Sequence, residues 1–63
     1  MQKSELAAIR KQVSGARPRL KVYAWVNSTR RRVLSMGVDW VKIFENGQKV
    51  TVPISKVVTM EVE

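Results

Sequence analysis

The stretch "DWVKIFENGQKVTVPI", residues 39–54, decides the fold. Asn46-Gly47 lies between two runs of alternating apolar and polar residues, and this dipeptide is the preferred pair for a two-residue type I′ turn in a β-hairpin. The turn fixes the register, so that Glu45 faces Gln48 and β-branched residues face each other across the strands. We therefore expect one face built of Val41, Ile43, Val50 and Val52, and an opposite face built of Trp40, Lys42, Phe44, Lys49 and Thr51.

The same alternation in residues 20–37 predicts a second hairpin. A four-residue loop at residues 28–31 would pair Val26 with Val33 and Trp25 with Leu34. This register separates two sets of side chains. One face would hold Leu20, Val22, Ala24, Val26 and Val33, and the other Lys21, Tyr23, Trp25, Leu34 and Met36.

The two ends of the chain complete the architecture. A last strand, "KVVTMEV", would place Val58, Met60 and Val62 on one side, after Pro53 at a strand end or edge. Near the N-terminus, the spacing of Leu6, Ile9 and Val13 predicts a short helix over residues 4–14, with Ser4 as N-cap and Gly15 in the left-handed terminating position.

The chain is therefore expected to form a single small domain that is mainly β. It comprises the helix over residues 4–14, a basic connector over residues 15–19, and a five-stranded antiparallel small barrel over residues 20–62, of SH3-like or Sm-like type. A barrel is expected because closure removes the exposed edges of a small sheet.

Composition excludes several functional classes. The 63 residues contain no cysteine and no histidine, so disulfides and the usual transition-metal ligand sets are excluded. The five carboxylates have no evident reason to converge as an acid and base pair, and we predict no catalysis, cofactor, metal or small-molecule substrate. No apolar run approaches the ~20 residues of a membrane span, which favours a cytoplasmic protein with no membrane partner. Self-association into a homo-oligomer is the remaining route to extra stability.

Positive charge dominates the chain and is unevenly placed. The net charge is +7; residues 1–32 hold nine basic groups and one acid, whereas residues 33–63 hold three basic groups and four acids. Such a field favours a polyanion as partner. We interpret the run Arg30, Arg31 and Arg32, at or beside the first hairpin loop, as a phosphate clamp assisted by Arg17, Arg19 and Lys21. The alternative is a solvated loop that aids solubility.

One predicted face alternates cations with aromatic residues, as Lys21-x-Tyr23-x-Trp25 and Trp40-x-Lys42-x-Phe44. Aromatic side chains on a sheet can stack on bases while neighbouring cations neutralise phosphates. The alternative is that Trp25 and Trp40 lie in the core or in a subunit interface. The candidate nucleic-acid-binding residues are Arg17, Arg19, Lys21, Arg30, Arg31, Arg32, Trp25, Trp40 and Lys42.

The order helix, connector, "AWVNS", "VLSMGVDWVKIF" and "KVTVPISKVVTMEV" resembles the Sm-like, or Hfq-like, RNA-binding proteins of bacteria and archaea. Asn27, Asp39 twelve residues on, and "VPISKVV" match the family pattern, whereas Ser28 stands where the family has glycine and "TVPISK" lacks its Tyr-Lys-His. The resemblance implies an RNA binder that forms rings by pairing the fourth and fifth strands of neighbours. OB-type and SH3-type DNA-binding domains share the same order of strands.

These observations predict a non-catalytic nucleic-acid-binding protein, with RNA ahead of DNA, that acts as a small regulator or chaperone. The rival prediction is a protein-interaction module, of phage or mobile-element origin, that docks a host protein through its aromatic and basic face.

Overall fold

A computed structural model describes residues 1–15 and 20–63. It is mainly β, as predicted, with one helix followed by five antiparallel strands in a single sheet. The predicted connector lies outside the described residues, except for Gly15. The elements are α1 (Lys3–Ser14), β1 (Val22–Val26), β2 (Thr29–Met36), β3 (Trp40–Glu45), β4 (Gln48–Pro53), a 3-10 turn (Ile54–Lys56) and β5 (Val57–Val62).

The sheet is open, so the predicted closed barrel is not formed. The strand order is β4-β3-β2-β1-β5, which leaves β4 and β5 as the two edges. The 3-10 turn after β4 is anchored by the Ile54 amide, which donates to the Asp39 carbonyl oxygen at 2.8 Å, and β5 then pairs with β1. Because the chain crosses to the far edge at this turn, β4 and β5 do not meet within the described residues.

The β3–β4 hairpin confirms the register predicted from Asn46-Gly47. Glu45 pairs with Gln48, and the ladder continues to Trp40 and Pro53. The φ angles of Asn46 and Gly47 are 51° and 77°, both positive as a type I′ turn requires. The β-branched face points into the core and the aromatic and basic face points out.

The register predicted for the β1–β2 hairpin is wrong. Trp25 pairs with Arg30 and Val26 with Thr29, so the turn has two residues, Asn27 and Ser28, rather than four. Both have positive φ, 51° and 60°, so this turn is also of type I′. The three consecutive arginines therefore lie within β2 and not in a loop.

Ser28 occupies a left-handed conformation that favours glycine. We expect Ser28→Gly to raise the free energy of unfolding by about 1 kcal/mol, because the positive φ is unfavourable for a residue with a Cβ. For a domain of this size the melting temperature should rise by about 4–8 °C, measured by circular dichroism. Ser55→Gly, in the 3-10 turn, serves as the comparison and should not stabilise. Equal or lower stability of Ser28→Gly would contradict this account of the turn.

The core lies between α1 and one face of the sheet. Leu6 of α1 is completely buried, and Ile9 and Val13 pack partly buried against the same cluster, as the helical spacing predicts. All five strands and the 3-10 turn contribute to it. The buried sheet-side residues are Val22, Ala24, Val26, Val33, Val41, Ile43, Val52, Ile54 and Val57. We call this the inner face and the opposite surface the outer face.

Two register shifts change the facing predicted for β2 and β5. The β2–β3 ladder shifts between Val33 and Ser35, and this shift turns Met36 to the inner face, where it packs partly buried against the core. The β1–β5 ladder shifts between Trp25 and Val26, so Val57 is buried and Val58 is exposed. An extra residue in one strand reverses the alternation beyond it, which simple period-two counting does not anticipate.

The ends of α1 also differ from the prediction. The helix begins at Lys3, and the residue before it, Gln2, makes no side-chain cap, so Ser4 lies inside the first turn. Gly15 ends the helix with φ −91°, in the right-handed region, and its amide donates to the carbonyl oxygens of Lys11 and Val13. These differences at the helix ends leave Leu6, Ile9 and Val13 on the face of α1 that packs against the core.

Candidate nucleic-acid interface

A row of side chains crosses the outer face, with one residue from each strand. Tyr23 of β1 pairs with Arg32 of β2 on one side and with Glu61 of β5 on the other. Phe44 of β3 pairs with Lys49 of β4. Val33 pairs with Ile43, so the next step of that ladder brings Arg32 beside Phe44. We call this set the cross-strand row; its order is Glu61, Tyr23, Arg32, Phe44 and Lys49.

The row alternates charge with aromatic surface. Directly paired residues on neighbouring strands point to the same side of a sheet, so these five side chains project together. Phe44 is 48% exposed, and Tyr23 is half-buried. Within the described residues, neither Arg32 nor Lys49 has a carboxylate at ion-pair distance. Unpaired cations beside accessible rings can hold phosphates while bases lie on the rings.

Tyr23 is covered by arginine. The guanidinium carbon of Arg30 lies 3.8 Å from the centre of the Tyr23 ring, and that of Arg32 lies 5.7 Å away. Both are within the ~6 Å range of cation–π attraction. The Arg30 guanidinium therefore presents its own flat surface in place of the tyrosine ring, and guanidinium planes also stack on bases.

Glu61 connects two side chains of the outer face, Trp25 and Arg30. Its Oε1 accepts a hydrogen bond from Trp25 Nε1 at 2.7 Å, and its Oε2 lies 3.2 Å from Arg30 Nη2. Glu63 Oε2 lies 3.8 Å from the same nitrogen. These contacts fix the indole of Trp25, which is half-buried, and offset the charge of Arg30. Arg30 is thus less available to a phosphate than the sequence predicts.

Arg31 projects to the inner face and is separated from the other two arginines. It pairs with Ala24, which is buried, and its Nη2 lies 3.7 Å from Glu45 Oε1. Arg31 lines a cavity of about 230 Å³ together with Glu45 and Lys56. Because strand residues alternate between faces, the predicted three-arginine clamp does not exist as one cluster.

Trp40 and Lys42 lie further along the outer face, as predicted from the hairpin. Lys42 Nζ is 6.0 Å from the Trp40 ring centre, and the half-buried indole covers Gly37. A Cβ at Gly37 would fall 2.1 Å from the indole, so only glycine fits beneath this tryptophan. The Gly37 amide closes the β2–β3 turn by donating to the Trp40 carbonyl oxygen at 2.9 Å.

The remaining candidate residues lie before β1. Arg17 and Arg19 are outside the described residues. Lys21 is exposed, and its carbonyl oxygen accepts a hydrogen bond from the Glu63 amide at 2.8 Å, which ties the start of β1 to the end of β5. The acids of the C-terminal half thus lie beside cations of the N-terminal half, so the charge imbalance of the sequence is partly offset in the fold.

Sequence reasoning left Lys49 and Glu61 out of the candidate site. Lys49 was recognisable, because the Asn46-Gly47 turn places it on the same face as Phe44. Glu61 was not, because its position beside Tyr23 depends on the β1–β5 pairing between distant parts of the chain.

The described residues, 1–15 and 20–63, contain no group of three or more His, Cys, Asp or Glu side chains placed to hold a metal ion. None of their helices combines the length and the apolar character needed to cross a membrane. Comparison of the chain with protein-family models, curated proteins and solved structures found no match.

Proposed function

We propose that this protein is a non-catalytic binder of single-stranded nucleic acid, with RNA as the first candidate, and that it acts as a small regulator or chaperone. The observation that carries the proposal is the cross-strand row, in which exposed Phe44 and Tyr23, covered by the Arg30 guanidinium, alternate with Arg32 and Lys49 on the outer face. The Sm-like sequence pattern around Asn27 and Asp39 supports RNA over DNA.

Each part of the outer face has a role in this proposal. Arg32, Lys42 and Lys49 contact phosphates, and Arg32 suits bidentate contact because of its planar fork. Phe44, Trp25 and Trp40 receive bases; stacking on an aromatic side chain contributes about 1–3 kcal/mol per base. Stacking tolerates any base, so we expect weak sequence preference. Arg31, which lies on the inner face, takes no part.

The proposal is tested by fluorescence anisotropy with labelled single-stranded RNA, single-stranded DNA and duplex. Contacts to three or four phosphates predict that the logarithm of the affinity for single strands falls with the logarithm of salt concentration at a slope of about −2 to −3. Quenching of tryptophan emission should accompany binding, because Trp25 and Trp40 lie on the outer face. Absence of binding to all three probes at about 50 mM salt would refute the proposal and favour a protein partner.

We also propose that the chain self-associates through the edges of its sheet. The edges β4 and β5 carry unpaired backbone groups, and such edges pair readily with other strands. A 63-residue chain without disulfides gains stability from such pairing. Light scattering after size exclusion should give a mass of at least twice the 7.2 kDa of one chain. A monomer at micromolar concentration would contradict this proposal and leave nucleic-acid binding untouched.

A further inference from the structure

The cavity of about 230 Å³ that Arg31 lines lies on the inner face, where the β1–β2 turn, the β3–β4 hairpin and the 3-10 turn approach one another. Its size is below the ~300–1,000 Å³ of sites for drug-sized ligands, so it admits a small chemical group. Part of its lining is apolar and comes from the core side of the sheet: Val26, Ile43, Val50 and Val52. The rest is polar or charged, which indicates a polar ligand.

The charged lining residues carry a net positive charge. They are Arg31 of β2, Lys56 of the 3-10 turn and Glu45 at the end of β3, so two cations and one carboxylate leave a net charge of +1. The Arg31 Nη2 atom lies 3.7 Å from Glu45 Oε1, which is too far for a hydrogen bond. Lys56 is exposed and has no carboxylate at ion-pair distance in the part of the chain that the structure describes.

Hydrogen-bond donors are available on the same wall of the cavity. Thr29 and Arg31 are two positions apart on β2, so their side chains share the inner face. Thr29 Oγ1 donates to the Asn27 carbonyl oxygen at 3.4 Å, which is long for a hydroxyl donor, so this hydroxyl can turn to a ligand. The Arg31 guanidinium has five N–H donors, and its side chain makes no hydrogen bond within residues 1–15 and 20–63.

We propose that this cavity binds a dianionic phosphate group, either inorganic phosphate or the terminal phosphate of a larger molecule. Such a group has a charge of about −1.5 to −2 and three strong acceptor oxygens, which match the donors of Arg31, Lys56 and Thr29. A carboxylate offers one charge and two oxygens, so it matches them less well. Glu45 is the lining group that opposes an anion. The cavity lies across the sheet from the cross-strand row, so this inference does not rest on the proposed nucleic-acid function.

The test is a titration of ¹⁵N-labelled protein with inorganic phosphate at constant ionic strength, followed by NMR. We expect saturable shifts of the Arg31 Nε–Hε and Thr29 amide resonances. Arg31→Gln should weaken phosphate binding at least about 10-fold, because a charge-assisted contact is lost. Glu45→Gln should strengthen it at least about threefold, because a like charge is removed.

Two further variants provide controls for fold and charge. Lys56→Gln, at an exposed position, should also weaken phosphate binding and guards against misfolding of Arg31→Gln. Lys11→Gln removes the same charge from an exposed position of α1 that does not line the cavity, so its affinity should stay within twofold of wild type. Equal weakening by Arg31→Gln and Lys11→Gln would overturn the inference, because it would show that total charge accounts for binding.

Two single strands, identical except for a 5′-phosphate, distinguish the sources of the phosphate group. Shifts of the Arg31 and Thr29 resonances caused by the phosphorylated strand alone would assign the site to a strand end, whereas shifts caused by inorganic phosphate and by neither strand would assign it to free phosphate. Absence of saturable shifts with every probe would overturn the inference. Saturation by phosphate in a protein that binds no nucleic acid would refute the proposed function and leave this site standing.

Discussion

Arg32→Gln combined with Lys49→Gln is expected to weaken binding of single-stranded RNA about 100-fold at about 50 mM salt. Each side chain lies in the cross-strand row without a carboxylate partner in the described residues, so each is free to form a charge-assisted contact with phosphate. Such contacts contribute about 1.5 kcal/mol apiece at the lower end of their range. The salt slope should become shallower by about 1.4, because two phosphate contacts are lost.

The matched control is Lys3→Gln combined with Lys11→Gln. Both lysines are exposed on α1, which covers the inner face, so this variant loses the same charge at a distance from the outer face. Its affinity should stay within about threefold of wild type, since exposed charges beyond a Debye length act weakly. Similar losses in the two double variants would show that total charge, and not the row, accounts for binding.

Leu6→Ala is expected to lower the free energy of unfolding by about 2–5 kcal/mol. Leu6 is the one fully buried residue of α1 and closes the core over the inner face, so its truncation removes apolar burial and leaves a cavity. A domain of this length has a total stability of about 3–9 kcal/mol. Urea unfolding followed by tryptophan fluorescence should therefore show a large fall in the midpoint or a population that is unfolded in buffer.

The comparison for Leu6→Ala is Leu34→Ala, which deletes the same atoms from a residue that is 44% exposed on β2. We expect a loss below about 1 kcal/mol, because little apolar surface is returned to water. Equal losses at the two positions would mean that α1 does not close the core in solution. The measurement thus tests the placement of the helix independently of any ligand.

The parts of the fold predicted from sequence are those set by local signals. Asn46-Gly47 fixed the β3–β4 register because both positions need positive φ, which this pair readily adopts. Asn27-Ser28 makes the same turn, but serine is not a usual signal for positive φ, so the local sequence does not predict the β1–β2 register. The shifts near Leu34 and Val58 leave no composition signal, which is why Met36 and Val58 were assigned to the wrong faces.

The sequence predicts which residues belong to the candidate site better than it predicts how they are arranged on the sheet. The alternation of lysine and aromatic residues located Trp25, Trp40 and Lys42 on the outer face. The run of arginines predicts one phosphate clamp at or beside a hairpin loop, whereas strand pleating sends Arg31 to the inner face. Glu61 and Glu63 reach Arg30 only through the long-range pairing of β1 with β5, whereas Arg31 is engaged by Glu45 of β3.

The cross-strand row draws one member from every strand, and its outermost members, Glu61 and Lys49, belong to strands at opposite margins of the sheet. No excised hairpin could therefore reproduce it. If the row binds nucleic acid as we propose, the smallest binding unit is the entire domain, and binding is lost when any strand detaches from the sheet. Ligand would accordingly protect the whole chain against proteolysis, since only the intact molecule would hold it.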